Sequence, residues 1–192
     1  PWHAQRDSII EFANWLSMTA GQLGKVGKDL MLLSQNEINE ISISNPGKSS
    51  TMPNKENPVL FETLVSLAAF CRNNADLIEQ TALTSHERDG VCMQIERLAL
   101  PPLICAASAS IVRASDCLKN MSVNMDAIQK NVTADRGLIM AEGAVFALMN
   151  FTTREEAAAL VSQACESCVV NKSHMIDELK SLSNFDLDWD LL

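Results

Sequence analysis

An all-α fold, with a bundle of long helices followed by a smaller helical domain, is what this 192-residue sequence predicts. Three observations carry it. Apolar residues recur at three- and four-residue steps over stretches far longer than an ordinary helix. The alternating pattern of a half-buried strand is almost absent. Hydrophobic residues make up 47% and charged residues 20%, enough apolar surface for a sizeable core.

The first helical pattern runs from about His3 to Ile43, through Ile9, Phe12, Leu16, Thr19, Leu23, Val26, Leu30, Leu33 and Ile41. A continuous helix of that length would reach roughly 60 Å, too long to bury its stripe inside one small domain. It calls for a bundle shared between copies. A second helix is expected from Pro58 to about Leu83, with Asn57 as its N-cap and Pro58 at its first position. Its inward stripe would be Val59, Phe61, Leu64, Leu67, Ala68, Cys71, Ala75 and Ile78. Thr84–Gly90 breaks the pattern, a short helix follows, and Pro101-Pro102 is read as opening a third long helix to about Met121. Beyond Val123 the expected helices are short: 125–132, 137–150, 153–170 and 174–182, with Thr153 and Glu156 forming a capping box. A boundary near Ser122 gives residues 1–122 to the bundle and 123–192 to a small, incomplete C-terminal helical domain.

The net charge of −9 argues against general nucleic-acid binding. No run of 18 apolar residues occurs, which points away from a membrane span. Six cysteines, at 71, 92, 105, 117, 165 and 168, fall mostly on apolar helical positions and read as packed free thiols in a reducing, cytoplasmic setting. Cys165-x-x-Cys168 has no second pair or histidine at ligand spacing, so no metal is expected. Both ends run straight into patterned sequence and read as cuts in a longer protein.

Chemistry concentrates in Gly47-Lys48-Ser49-Ser50-Thr51-Met52-Pro53-Asn54-Lys55-Glu56-Asn57-Pro58, between the first two long helices. A serine is a useful base only where positive charge stabilises its alkoxide, and Lys55 lies six residues from Ser49 on a segment rich in turn formers. The following helix start favours an anion nearby. On the residues alone, a solvated connection between helices stays open beside this reading.

The same stretch resembles the signature loop of the fumarase/aspartase superfamily, Gly-Ser-Ser-x-Met-Pro-x-Lys-x-Asn-Pro, through Ser49, Ser50, Met52, Pro53, Lys55, Asn57 and Pro58. Pro1-Trp2-His3-Ala4-Gln5-Arg6-Asp7 and Gly137–Glu142 resemble its 3-carboxy-cis,cis-muconate cycloisomerase branch, and His86-Glu87-Arg88-Asp89-Gly90 resembles a His-Glu-Arg loop shared by that branch and the adenylosuccinate lyases. The adenylosuccinate-lyase branch grips a phosphate with Arg, Ser and Arg, where this chain has Arg88, Met93 and Arg97, so the serine hydroxyl is missing. The cycloisomerase loop usually carries His and Arg where this chain has Asn54 and Glu56, and tryptophans where it has Met93 and Arg97.

The resemblance implies the long-helix bundle of the fumarase/aspartase type, lacking the N-terminal half, in a homotetramer with composite active sites. It implies interconversion of 3-carboxy-cis,cis-muconate and carboxymuconolactone, in protocatechuate degradation, without a cofactor. Ser49 would be the base and Lys55 the charge stabiliser. Gln5, Ser50, Thr51, Met52, Asn57 and Arg88 would bind a small polycarboxylate. The neighbouring residues keep structural readings: His3 as a helix-start residue, Arg6 and Asp7 as an ion pair, and His86-Glu87-Arg88 as a brace of the bundle. Another lyase of the superfamily, or an idle helical oligomerisation piece, stands as the alternative.

Overall fold

The computed structural model describes residues 4–44, 47–48, 56–185 and 187–189, with the side chains of 47, 48 and 56 left aside. Among the described residues, seven α-helices and four short strands fall into two compact units, Pro1–Asn124 and Met125–Leu192.

The first unit is an antiparallel three-helix bundle of α1 (Asp7–Leu33), α2 (Val59–Glu79) and α3 (Gly90–Asn120). The long first pattern of the sequence is thus shorter as a helix. α1 stops at Leu33, where the Ser34 N–H donates to Leu30 O and the Ser34 hydroxyl to Met31 O. Asn39 then takes a left-handed φ of 52°, a conformation its short polar side chain tolerates better than most. The chain turns there into a strand, β1 (Ile41–Ile43). Ile41 is buried as expected of an inward residue, but on that strand. β1 pairs antiparallel with β4 (Met121–Val123), in the register Ile41↔Val123, Ser42↔Ser122 and Ile43↔Met121. Ser122 therefore belongs to the first unit, and the division falls after Asn124.

The inward face of α1 also differs from the large-residue stripe. Ala13, Leu16, Ser17, Ala20, Gly24, Gly27 and Leu30 are buried, while Phe12 and Val26 lie outward, at 42% and 41% exposure. Close approach of α2 explains this. A Cβ on Gly24 would sit 2.5 Å from the Ala68 Cβ, and one on Gly27 would sit 2.8 Å from Phe61 O. Small residues win that face because backbones meet there; the larger ones are left outside.

On α2, Phe61, Leu64, Cys71, Ala75 and Ile78 are buried, and Val59 is exposed. A 3₁₀ turn, Gln80–Ala82, ends the element. α3 is continuous through Pro101-Pro102, contrary to the two-helix expectation. The prolines cannot donate to the carbonyls of Arg97 and Leu98, yet flanking Ala99 and Leu103 are buried in the bundle core and hold the helix together across the gap. α3 is long and apolar enough to cross a membrane by length and composition alone. Here it is the third core helix, packed through Ala99, Leu103, Ala106 and Ala107 on α1 and α2. Its start is set by Asp89, whose carboxylate accepts from Val91 N at 2.8 Å and Cys92 N at 3.2 Å.

The second unit holds α4 (Met125–Ala134), a 3₁₀ turn at Leu138–Met140, α5 (Ala141–Leu148), α6 (Arg154–Asn171) and α7 (Met175–Leu182). The capping box of Thr153 and Glu156 is present at the start of α6. His174 caps α7, its Nδ1 accepting from Ile176 N. Ala144, Leu148, Ala157, Val161, Ala164, Cys168, Met175, Ile176 and Leu179 form the core of this unit.

Candidate functional site

Two strands of two residues, β2 (Gly47–Lys48) and β3 (Glu56–Asn57), pair antiparallel, with Gly47 opposite Asn57 and Lys48 opposite Glu56. They bracket residues 49–55 in the chain. Ser49, Ser50, Thr51, Met52 and Lys55 lie outside the described residues. Asn57 is half-buried on β3 rather than the N-cap of α2. That position falls to Pro58, whose carbonyl accepts from Phe61 N at 2.9 Å and Glu62 N at 3.1 Å. A proline can hold the N-cap because that position donates no intrahelical bond.

Asn57 and Pro58 line a cavity of about 110 Å³ with Ser34, Asn36, Asn39, Ile41, Ser42, Ile43 and Phe61. Its polar groups are neutral amides and hydroxyls. Its floor is firm: Phe61 is fully buried, and Ile41 packs with Leu30, Leu64, Ala114 and Cys117. This end of the bundle combines the amide of Asn57 with the positive end of the α2 dipole, a setting suited to an anion.

The other predicted residues gather at the opposite end. Gln5 is exposed just before α1, and His86 and Arg88 are exposed just before α3. His86 is in the left-handed region, φ 57°. Asp89 braces this turn: its carboxylate also accepts from Ser85 N at 2.9 Å. Those backbone donors, Ser85 first, hold the Asp89 carboxyl below its usual range. Arg6 does not pair with Asp7. Its guanidinium forms an ion pair with Glu96 on α3, a partner no local spacing in the sequence signals.

Within one chain the candidates therefore stand at two ends. Asn57 precedes α2, which begins beside the last turns of α1; Gln5 lies at the first turn of α1, and Arg88 just before α3, whose second turn pairs with Arg6 through Glu96. The 27-residue α1 separates them by about 40 Å. No single copy brings Gln5 or Arg88 to Asn57.

Large apolar side chains also face outward: Phe12, Trp15 and Met18 on α1, and Leu98, Ile104, Ile111, Val112 and Leu118 on α3. Phe12 and Trp15 stack at 6.1 Å. All six cysteines are free thiols, and burial pushes the thiols of Cys71, Cys92, Cys117 and Cys165 upward, towards the unreactive protonated form. Among the described residues no group of histidine, cysteine and carboxylate side chains is arranged to hold a metal ion.

Residues 2–71 match the family described as Lyase. The chain is 33% identical over 192 residues to the 3-carboxy-cis,cis-muconate cycloisomerase of Acinetobacter baylyi, over 95% of this chain and 43% of that protein. It is 36% identical over 163 residues to the N-acetyl-S-(2-succino)cysteine lyase of Dickeya dadantii, over 83% of this chain and 36% of that one. The crystal structure of the 3-carboxy-cis,cis-muconate lactonizing enzyme of Pseudomonas putida superposes with a TM-score of 0.80 at 29% identity, over 96% of this chain and 42% of that chain. The chain thus spans less than half the length of these relatives.

Proposed function

The chain belongs to the fumarase/aspartase superfamily of lyases, and from that premise we propose that the whole protein interconverts 3-carboxy-cis,cis-muconate and carboxymuconolactone. The observation that carries this reading is the likeness over 95% of the chain to a cycloisomerase of that name. In the lactone-opening direction, Ser49 takes the proton from the carbon next to a carboxylate. The electron pair moves into that carboxylate as an enediolate, and the ring C–O bond then breaks to free the second carboxylate. In the closing direction a carboxylate oxygen adds to the double bond, and the Ser49 proton goes to the α-carbon. The dianionic intermediate demands concentrated positive charge and hydrogen bonds. Lys55, Asn57 and the α2 start supply these, with Ser50, Thr51 and Met52 shaping the loop around the substrate. Proton transfer and charge stabilisation are both within reach of side chains.

Gln5 and Arg88 complete the site from other copies. The 40 Å separation estimated along α1 supports a composite site, and the outward apolar faces of α1 and α3 support a homotetramer assembled through them. Free thiols support a cytoplasmic setting.

A second reading has its own support. Asn54 and Glu56 stand where the usual cycloisomerase loop has His and Arg, and the 36% identity to a succinocysteine lyase favours elimination from a succinyl adduct by the same proton abstraction. The test is direct. Purified whole protein is incubated separately with 3-carboxy-cis,cis-muconate, N-acetyl-S-(2-succino)cysteine and adenylosuccinate, and turnover is followed by absorbance and mass. Turnover of the muconate with the others inert is expected. Turnover of the succinyl adduct alone selects the second reading, and no turnover of any overturns both.

A further inference from the structure

We propose that Glu96 is a positioning residue for the Gln5 end of the site, acting through Arg6. The proposal rests on the functional reading above, in which Gln5 binds a substrate carboxylate. Residues just before a helix have no intrahelical bonds to fix them, so Gln5 needs an outside anchor, and Arg6 provides it. The Arg6 carbonyl accepts from Ile9 N and Ile10 N, both at 3.0 Å, which seats Arg6 as the N-cap of α1. Its Nη1 donates back to the Gln5 carbonyl at 3.2 Å. Its Nε faces Glu96 Oε1 in an ion pair whose side chains are only 14% and 16% exposed.

That burial couples the two groups through their opposite charges. Two charges withdrawn from water are held ionised by each other, and removing one leaves the other uncompensated. Glu96 therefore sets where the guanidinium lies, the guanidinium sets the Gln5 carbonyl, and the carbonyl sets the plane from which the exposed Gln5 side chain leaves the backbone. α3 begins at Gly90, six residues before Glu96, so the same contact ties Gln5 to the α3 end that follows Arg88, about 9 Å away along the helix rise.

The experiment is a double-mutant cycle in the whole protein. Wild type is assayed first on 3-carboxy-cis,cis-muconate; if it is inactive there, the functional reading has failed and the positioning role falls with it. With wild type active, Gln5→Ala is expected to raise KM about tenfold, the loss of one hydrogen bond to a charged group. Glu96→Gln is expected to raise KM by a similar factor with kcat within about twofold, and to add little in the Gln5→Ala background. Glu96→Asp restores KM part of the way. A Glu96→Gln protein with lower thermal stability but unchanged KM overturns the proposal, as do effects of the two substitutions that multiply in full. Should Glu96→Gln fail to fold, Glu96→Asp carries the cycle: a raised KM that disappears in the Gln5→Ala background supports the role, and an unchanged KM overturns it.

Discussion

Gly27 on α1 and Phe61 on α2 are in backbone contact: a Cβ on Gly27 would lie 2.8 Å from both Phe61 O and the Leu64 Cβ. This contact seats the first turn of α2, and with it Pro58 and Asn57. Gly27→Ala is expected to destabilise the protein by about 1–3 kcal/mol, the usual range for overpacking a tight interface. Gly21, on the same helix with nothing within 4 Å of its Cβ position, is the control. Gly21→Ala is expected to stabilise by about 0.5–1 kcal/mol through helix propensity alone. Urea unfolding midpoints of the two variants should move in opposite directions.

Three carboxylates make the fold acid-sensitive. Asp89 is held below its usual range by backbone donors, Ser85 first. Glu156 is lowered by the Thr152 hydroxyl and then Thr153, and Glu178 by the Ser173 hydroxyl and then the Asn171 amide. A depressed folded pKa contributes stability that is fully present above the unfolded carboxylate value, about 4, and is lost as pH falls through the folded value. Melting temperature should therefore fall on acidification below about pH 4–5. Asp89→Asn, which still accepts at the cap, should show a shallower decline than wild type; an identical slope would contradict the assignment.

The second unit depends on one open space. Gly137 has φ +83°, and the His174 imidazole occupies the volume a Cβ there would need. Gly137→Ala combines a left-handed backbone with a clash against the residue that caps α7. The expected cost is about 1–3 kcal/mol, read as a lower thermal midpoint. His174→Asn, which keeps a capping acceptor and removes the ring, should recover part of the loss in the double variant.

Ser49 should be the most sensitive position for chemistry. Ser49→Ala is expected to lower kcat about 10²–10⁴-fold, the range for a lost acid or base, with a smaller effect on substrate binding. Lys55→Met should weaken binding and turnover together. Full activity in Ser49→Ala with loss in Ser50→Ala would reassign the base, and activity in both would remove the proposed mechanism.

The helices were legible because their apolar period is long, and the candidate chemistry because one dense motif holds it. What the sequence concealed were contacts between distant segments. A large-residue stripe on α1 looked inward, but Gly24 and Gly27 win that face by close approach of α2. The Pro101-Pro102 pair looked like a helix start, yet burial of Ala99 and Leu103 on either side carries α3 across it. Asn39 did offer a stop signal for α1, a residue tolerant of left-handed backbone, though the apolar period ran past it. Glu96 had no local cue at all: its partner lies ninety residues earlier in the chain. The separation of Gln5 and Arg88 from Asn57 likewise follows only from the antiparallel path of three helices.

That separation has a genetic consequence. If each site takes one end from one chain and the opposite end from another, a chain damaged at Ser49 and a chain damaged at Arg88 spoil different halves of the sites they join. Mixed assemblies then contain some sites whose two halves are both intact. Two individually inactive variants, co-expressed or unfolded and reassembled together, should recover measurable turnover, whereas two variants damaged at the same end should not.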